Sequence, residues 1–204
     1  MAEGAGSRRR RGAVLEEAIL GVAAEVLRES GAGGLTMDEV ARRAGTNKNA
    51  IYRRWPNRVA LGVAAYRRLV DAEITVPDTG SLRDDALDLL RRANSTWSSP
   101  YGEILRGLIA AAGSAPELLA ELRDGGGGAY EAAWLTVLGR AVARGEAVAE
   151  ALHPRVASTP VALLRNEFMT RGVPVVPDGV LVEIVDEVFL PLVRGRAAVG
   201  RRAP

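Results

Sequence analysis

LTMDEVARRAGTNKNAIYRRWPNR, residues 35–58, is the densest run of structural signals in the chain. Thr36 stands three residues before Glu39. That is the spacing of a capping box, in which the hydroxyl caps a helix and the carboxylate reaches back to the Thr36 amide. The helix this predicts, MDEVARRA, is short and ends at Gly45. A second short helix, over about 47–53, follows almost at once. Trp55-Pro56 then breaks the chain, because proline disfavours helix in the residue before it. Asn57 is placed to cap a longer helix from about Arg58 to Ile74, with Val59, Val63, Tyr66 and Val70 on one face. Two short helices about a glycine-containing turn have the lengths of a helix-turn-helix.

In such a unit the second helix enters a DNA major groove with its N-terminal residues leading. Here those are Asn47, Lys48 and Asn49, directly after Thr46. Asparagine can pair bidentately with adenine, and lysine can donate to the guanine acceptors. Asn47 has two readings, as helix cap and as base reader. Tyr52 and Arg53 come about one turn later, within reach of phosphate. Arg58 opens the next helix, where backbone amides and the helix dipole favour an anion. Ile51 and Trp55 are expected to pack the small domain. The competing account of the same residues is a solvated basic helix in an all-α bundle.

The charge distribution bears on this choice. The net charge is only +2, but residues 1–70 hold 13 Lys/Arg against 7 Asp/Glu, whereas residues 71–204 hold 14 against 18. A basic first third on an acidic remainder implies that the first part alone meets a polyanion. Chance, helped by Arg8, Arg9, Arg10 and Arg11 in one tail, is the plainer explanation. Residues 1–11 read as a disordered basic tail.

Working outward, the pattern stays helical. Leu15, Ile19, Val22 and Val26 repeat every three or four residues until Gly31, Gly33 and Gly34 stop the helix. TVPDTGS, residues 75–81, is the clearest boundary. Beyond it, Leu82 to Ala93 mark one helix and Ile104 to Ile109 another. A long segment from about Pro116 to Arg144 follows, then helices of about 155–171 and 178–194. Gly125–Gly128 should weaken or kink the long helix, since each glycine costs about 1 kcal/mol there relative to alanine. No strand pattern of useful length appears, so the chain reads as all-α with about nine helices.

At 204 residues the chain is compatible with two modest, closely joined domains. With 48% apolar and 25% charged residues it has an ordinary globular composition. The absence of cysteine excludes disulfides, thiolate metal sites and cysteine nucleophiles, and fits a reducing cytoplasm. No apolar run reaches the roughly 18–20 residues of a membrane span, and the basic N-terminus lacks the apolar core of a secretion signal. His153, the sole histidine, precedes Pro154 and reads as a surface cap, not a metal ligand. With no clustered carboxylates either, catalysis, a metal and a cofactor are not expected.

Residues 35–62 resemble the DNA-binding signature of the TetR family of transcriptional regulators. The shared points are the Thr36 cap, Val40-Ala41, Ala44-Gly45, Tyr52, an aromatic at 55, a basic residue at 58 and Leu61. The likeness covers about residues 12–72, with ARGEA (143–147) and VDEVFLPLVRG (185–195) as further familiar segments. It implies a dimeric, usually repressing regulator that binds a double-stranded operator and answers an unidentified small-molecule effector. It also implies that Thr36, Tyr52, Arg54 and Arg58 touch phosphates while Lys48 and Asn49 read bases. Thr46 replaces the usual Val, Asn47 the frequent Ser or Thr, and Arg54-Trp55 the common His-Phe. The first two of these bear on which operator is read.

The resemblance further implies a ligand pocket in the C-terminal helices and a dimer made by the last two. Candidate pocket walls are Trp97, Tyr101, Trp134, Phe168 and Met169, because sensor pockets are mostly apolar. Candidate interface residues are Leu164, Phe168, Leu181, Ile184, Val185, Val188, Phe189 and Leu192. The broad stripe on the final helix serves a core, a partner helix, or both. The expected layout is a tail (1–11), a helix-turn-helix domain (12–57), a connecting helix (58–76) and a ligand-binding and dimerisation domain (77–204). The rival reading is a regulator whose C-terminal part only dimerises, with no small-molecule effector.

Overall fold

The computed structural model describes residues 3–113, 127–171 and 174–200, and among these every regular element is helical. We number the helices in chain order. They are α1 (Glu3–Gly34), α2 (Met37–Arg43), α3 (Lys48–Tyr52), α4 (Arg58–Asp71), α5 (Leu82–Ser98), α6 (Pro100–Ala112), α7 (Gly127–Ala143) and α8 (Pro154–Thr170). The last, α9, is made of Asp178–Glu183, Ile184–Phe189 and Leu190–Gly200 running on without a break, the middle piece as a π-helix. Residues 3–11, expected as a disordered tail, instead extend α1. Alanine and arginine are strong helix formers, so a helix already nucleated behind them propagates through the run. Gly31 interrupts α1 with a φ of 65°, where a glycine stop was expected. Of Gly125–Gly128, the last two open α7 and the first two lie outside the described residues.

The chain forms two compact units. The first contains α1 to α4 and also α6. The sequence reading had placed everything after residue 77 in the C-terminal domain. Small residues explain the difference. A Cβ built on Gly62 of α4 would stand 2.6 Å from Leu108, and one on Gly107 of α6 would stand 2.9 Å from Ala32 of α1. Glycine at these points lets α6 lie close to α1 and α4 without displacing Leu108 or Ala32. Ile19, Leu27, Val40, Ile51 and Leu61 are fully buried at the centre of this unit.

The second unit contains α5, α7, α8 and α9. Trp134 of α7 meets Phe189 of α9 edge to face at 5.3 Å, and Trp97 of α5 meets Phe168 of α8 at 5.7 Å. Around these rings α5 and α9 are fastened antiparallel by polar pairs. Arg83 donates two bonds to Asp186 at 2.7 Å, and Arg91 two to Asp178 at 2.7 and 2.8 Å. Buried Asn94 both donates to the Val176 carbonyl and accepts from its amide. Asp85, fully buried, accepts from the Thr79 amide and hydroxyl and faces Arg144 at 3.4 Å. Residues 77–79 are thereby fixed to α5, and Arg140 of α7 also reaches them through the Pro77 carbonyl.

The ARGEA segment has a structural explanation. At the end of α7, Gly145 takes a φ of 78°, its amide bonds Val142 and the Glu146 amide bonds Ala141. This double closure ends a helix by satisfying its last carbonyls. It turns Glu146 towards the N-terminus of α5, where its carboxylate accepts from the Leu82 amide at 2.7 Å. That bond, reinforced by Arg144, holds the Glu146 carboxyl below its ordinary pKa.

Candidate nucleic-acid interface

The reading unit is built by three caps. Thr36 Oγ1 accepts from the Glu39 amide at 3.2 Å and starts α2. Asn47 Oδ1 accepts from the Ala50 amide at 2.9 Å and starts α3. Asn57 Oδ1 accepts from the Val59 and Ala60 amides, both at 2.9 Å, and starts α4. Between the first two helices Gly45 sits at φ 60°, with the Thr46 amide bonded to Ala41 and the Gly45 amide to Arg42. An L-residue in that left-handed conformation carries a penalty of about 1–2 kcal/mol. Glycine therefore suits the turn that aims α3.

The outward surface of this unit collects most of the expected residues. Thr36, Asn47, Lys48, Asn49, Tyr52, Arg53 and Arg58 are exposed, and Thr46 is half-buried. Ala50, Ile51 and Trp55 point inward and are buried. Arg58 is the first residue of α4, so its charge adds to the positive end of that helix. No carboxylate among the described residues pairs with Arg53 or Arg58. Asn47 uses its carbonyl oxygen as the cap, which leaves its amide NH2 for any further partner.

Two residues sit differently from expectation. Arg54, proposed by resemblance as a phosphate contact, turns inward. Its Nη1 donates to the Ala50 carbonyl at 3.0 Å, its Nη2 to the Gly12 carbonyl at 3.1 Å, and its Nε lies 3.4 Å from Glu16. It ties α3 to α1. Glu39 does not reach back to Thr36. Its carboxylate accepts from Arg42 at 2.7 and 3.0 Å and from Arg43 at 2.6 Å, the last two residues of the helix. Two charged donors forward outweigh one neutral amide behind. Lys48 also has a partner that the sequence did not disclose. Its ammonium lies 2.6 Å from Asp38 Oδ1 on α2, a hydrogen bond that raises the lysine pKa above its ordinary value.

The expected pocket aromatics of the second unit fall into two separate pairs. Trp97 and Phe168 form one buried pair, Trp134 belongs with Phe189, Met169 is exposed, and Tyr101 lies on α6 in the first unit. Among the described residues, fully buried Trp134 has no acceptor for its indole N–H. A hollow of about 260 Å³ in the second unit is lined instead by Ser81, Leu82, Arg83, Glu146, Leu190, Val193 and Arg194. Of the expected interface set, Leu164, Phe168, Leu181, Ile184, Val185 and Phe189 are buried within their own chain. Only Val188 and Leu192, one helical turn apart, are exposed. His153 is an exposed N-cap, its Nδ1 accepting from the Arg155 amide at 3.1 Å. Among the described residues there is no group of three metal-ligating side chains and no helix long and apolar enough to cross a membrane.

The Glu39 cluster gives a pH signature. Hydrogen bonds from Arg42 and then Arg43 lower its carboxyl from 4.5 to about 2. A carboxyl depressed on folding stabilises above its unfolded pKa. That contribution is lost as pH falls from about 4.5 towards 2. The carboxyl carbon of Glu39, followed by NMR, is expected to titrate near the lower value. Glu39→Gln should flatten the loss of stability over that window. A Glu39 midpoint near 4.5 would show that the arginines do not hold it in solution.

Known proteins share this architecture. Residues 19–65 match the family described as bacterial regulatory proteins, tetR family, and residues 76–188 match a tetracyclin repressor-like C-terminal domain. A DNA-binding transcriptional repressor TetR from Mycobacteroides abscessus is 32% identical over 190 residues, spanning 90% of this chain and 96% of that protein. The HTH-type transcriptional regulator AqdR of Rhodococcus erythropolis is 29% identical over 114 residues, which are 56% of this chain and 55% of that one. The crystal structure of a TetR family transcription regulator superposes with a TM-score of 0.72 at 25% identity, over 86% of this chain and 96% of the other. The chain belongs to the TetR family of bacterial transcriptional regulators.

Proposed function

We propose that the protein is a cytoplasmic, homodimeric repressor that reads a double-stranded operator through α3 and leaves it when a small apolar effector enters the second unit. The observation that carries the DNA reading is the sorting of side chains on the reading unit. Ala50, Ile51 and Trp55 fill its interior, while Lys48, Asn49, Tyr52, Arg53 and Arg58 stand outside. A merely solvated basic helix has no reason to leave two arginines without a carboxylate beside two side chains suited to base edges.

Within this reading the roles divide. Lys48 and Asn49 touch base edges and specify sequence. Thr36, Tyr52, Arg53 and Arg58 grip the backbone and position the protein. Thr46 and Asn47 shape the turn and the start of α3. Arg54 acts as the tie that fixes the angle of α3 to α1, because its guanidinium is already engaged. Binding from a random pool of duplexes, followed by titration of single variants, tests this division. Lys48→Ala and Asn49→Ala are expected to lower discrimination between sites. Arg58→Ala should weaken all sequences alike and reduce the salt slope by about one phosphate's worth. Loss of sequence preference from the Arg58 change alone would contradict the assignment.

Two reading helices fit successive major grooves only when held about 34–36 Å apart, so the repressor acts as a dimer. Among the described residues of the final helix, Val188 and Leu192 offer apolar surface to a second copy. Because they are exposed, Val188→Asp with Leu192→Asp should leave the fold intact. We expect the double variant to sediment as a monomer and to lose operator affinity. A dimer of unchanged stability would move the interface elsewhere.

The Trp134 indole N–H supports the effector. A buried donor without an acceptor carries a penalty of about 1–3 kcal/mol, and a ligand oxygen placed there would remove it. Such a ligand must bind the mis-spaced dimer more tightly than the operator-bound one. Apolar compounds screened for operator release provide the test. For a carbonyl-bearing hit, Trp134→Phe should cut potency about tenfold, the worth of one dry hydrogen bond. Operator affinity without the compound should stay unchanged. Equal potency on both proteins would remove Trp134 from the site.

A further inference from the structure

We propose that Asp38 of α2 is a positioning residue for sequence readout. It holds the Lys48 ammonium against a base edge and keeps it from the phosphate backbone. The proposal rests on the assignment of α3 as the reading helix. Lys48 and Asp38 are ten residues apart and lie on different helices, yet Nζ and Oδ1 are 2.6 Å apart. Both side chains are well exposed, Lys48 at 52% and Asp38 at 74%. The pair therefore lies on the outward surface of the reading unit, and burial does not force it.

Chemistry gives this contact a direction. A lysine on a four-carbon stem is a mobile point charge, and near DNA the nearest strong acceptors are phosphates. A phosphate contact adds affinity for every sequence alike. The ammonium has three donors. With one given to Asp38, two remain for the adjacent O6 and N7 acceptors of a guanine, the base that lysine reads. The Asp38 carboxylate also repels phosphates, so it lowers affinity for duplexes that offer no matching base. An exposed ion pair contributes little to folding. Removing it alters recognition and leaves the fold alone. The neighbouring charges fit this account. Glu39, Arg42, Arg43 and Glu29 already satisfy one another, so Asp38 is the acidic group of α2 that faces the reading helix.

The test is a cycle of Asp38→Asn and Lys48→Ala, singly and together, in the full-length protein. The probes are the duplex that the wild type selects from a random pool and a scrambled duplex of equal length. The near-isosteric Asp38→Asn is expected to tighten scrambled-duplex binding and to steepen its salt dependence by about 0.9, one added phosphate contact. The preference for the selected duplex should fall about tenfold, within the range of one lost base contact. In the Lys48→Ala background the same change should leave that preference where it is, because Asp38 acts through Lys48. An unchanged preference and salt slope in Asp38→Asn would overturn the proposal. So would an equal loss in the Lys48→Ala background, which would mean that Asp38 reads a base itself, as an acceptor for cytosine N4. Arg58→Ala is the separate control. If it leaves binding of both duplexes unchanged, the reading unit has been misassigned, and the Asp38 result is not what failed.

Discussion

A helix of five residues cannot sustain itself in water. Nucleation costs more than one turn of hydrogen bonds returns, and isolated helices need about 12–15 residues to be even marginal. Helix α3 has five. Its existence therefore depends on what the first unit does for it. Asn47 satisfies an amide at its start, Ala50 and Ile51 are buried where α3 packs on α2, and Arg54 clamps the following turn to the Gly12 carbonyl. Two of the three nitrogens of Arg54 bond backbone carbonyls, which cannot swing away as side chains can. The angle of α3 is thus set by the backbone of α1. Brevity has a use here: with nearly every inward group committed to holding the helix, nearly every outward group is left for a partner.

The second unit solves the opposite problem. Its helices are long enough to form readily, and the difficulty is to fix their register. Apolar stripes alone tolerate sliding, because one leucine packs much like the next. Charged pairs at Arg83–Asp186 and Arg91–Asp178, and the Asn94–Val176 exchange, allow one register of α5 on α9. Exposed pairs add little energy, but a slip of one turn would break all three contacts and leave the Val176 amide and carbonyl buried without partners. The π-segment fits the same constraint. Pro191 lacks an N–H and its ring crowds the carbonyl four residues back, so a helix passing through it must widen or kink. Widening over Ile184–Phe189 keeps Asp186 at Arg83 and Phe189 on Trp134.

What the sequence disclosed follows the range of the interactions involved. The caps at Thr36, Asn47, Asn57 and His153 act within three residues, and each was legible. So were the helix-turn-helix lengths, the break at Trp55-Pro56 and the all-helical class, which rest on local periodicity. Arg54 was misplaced because its partner lies 42 residues away. The membership of α6 was missed because it depends on Gly62 and Gly107 meeting residues remote in sequence. Glu39 is an instructive local failure. The capping-box spacing is real, but Arg42 and Arg43 compete at helical spacing for the same carboxylate. The aromatic residues expected in one pocket fell into separate pairs, since an apolar ring carries no information on which neighbour it will meet.

The basic character of the N-terminal third also takes a different meaning. Counted by residue, it is a surplus of cations. Among the described residues, several of these cations are paired within the chain: Arg43 to Glu29, Arg42 to Glu39, Arg54 to Glu16 and Arg68 to Glu17. What remains outward in the reading unit is Lys48, Arg53 and Arg58, with Lys48 balanced by Asp38. A surface with few uncommitted cations binds arbitrary DNA weakly, because non-specific affinity scales with the phosphates neutralised. Discrimination is the difference between a weak general attraction and a few well-placed contacts. On the proposed reading of α3, these ion pairs therefore bear on recognition. By occupying arginines that would otherwise grip any duplex, they would leave the contrast between right and wrong sequence to the residues proposed to read it at the start of α3.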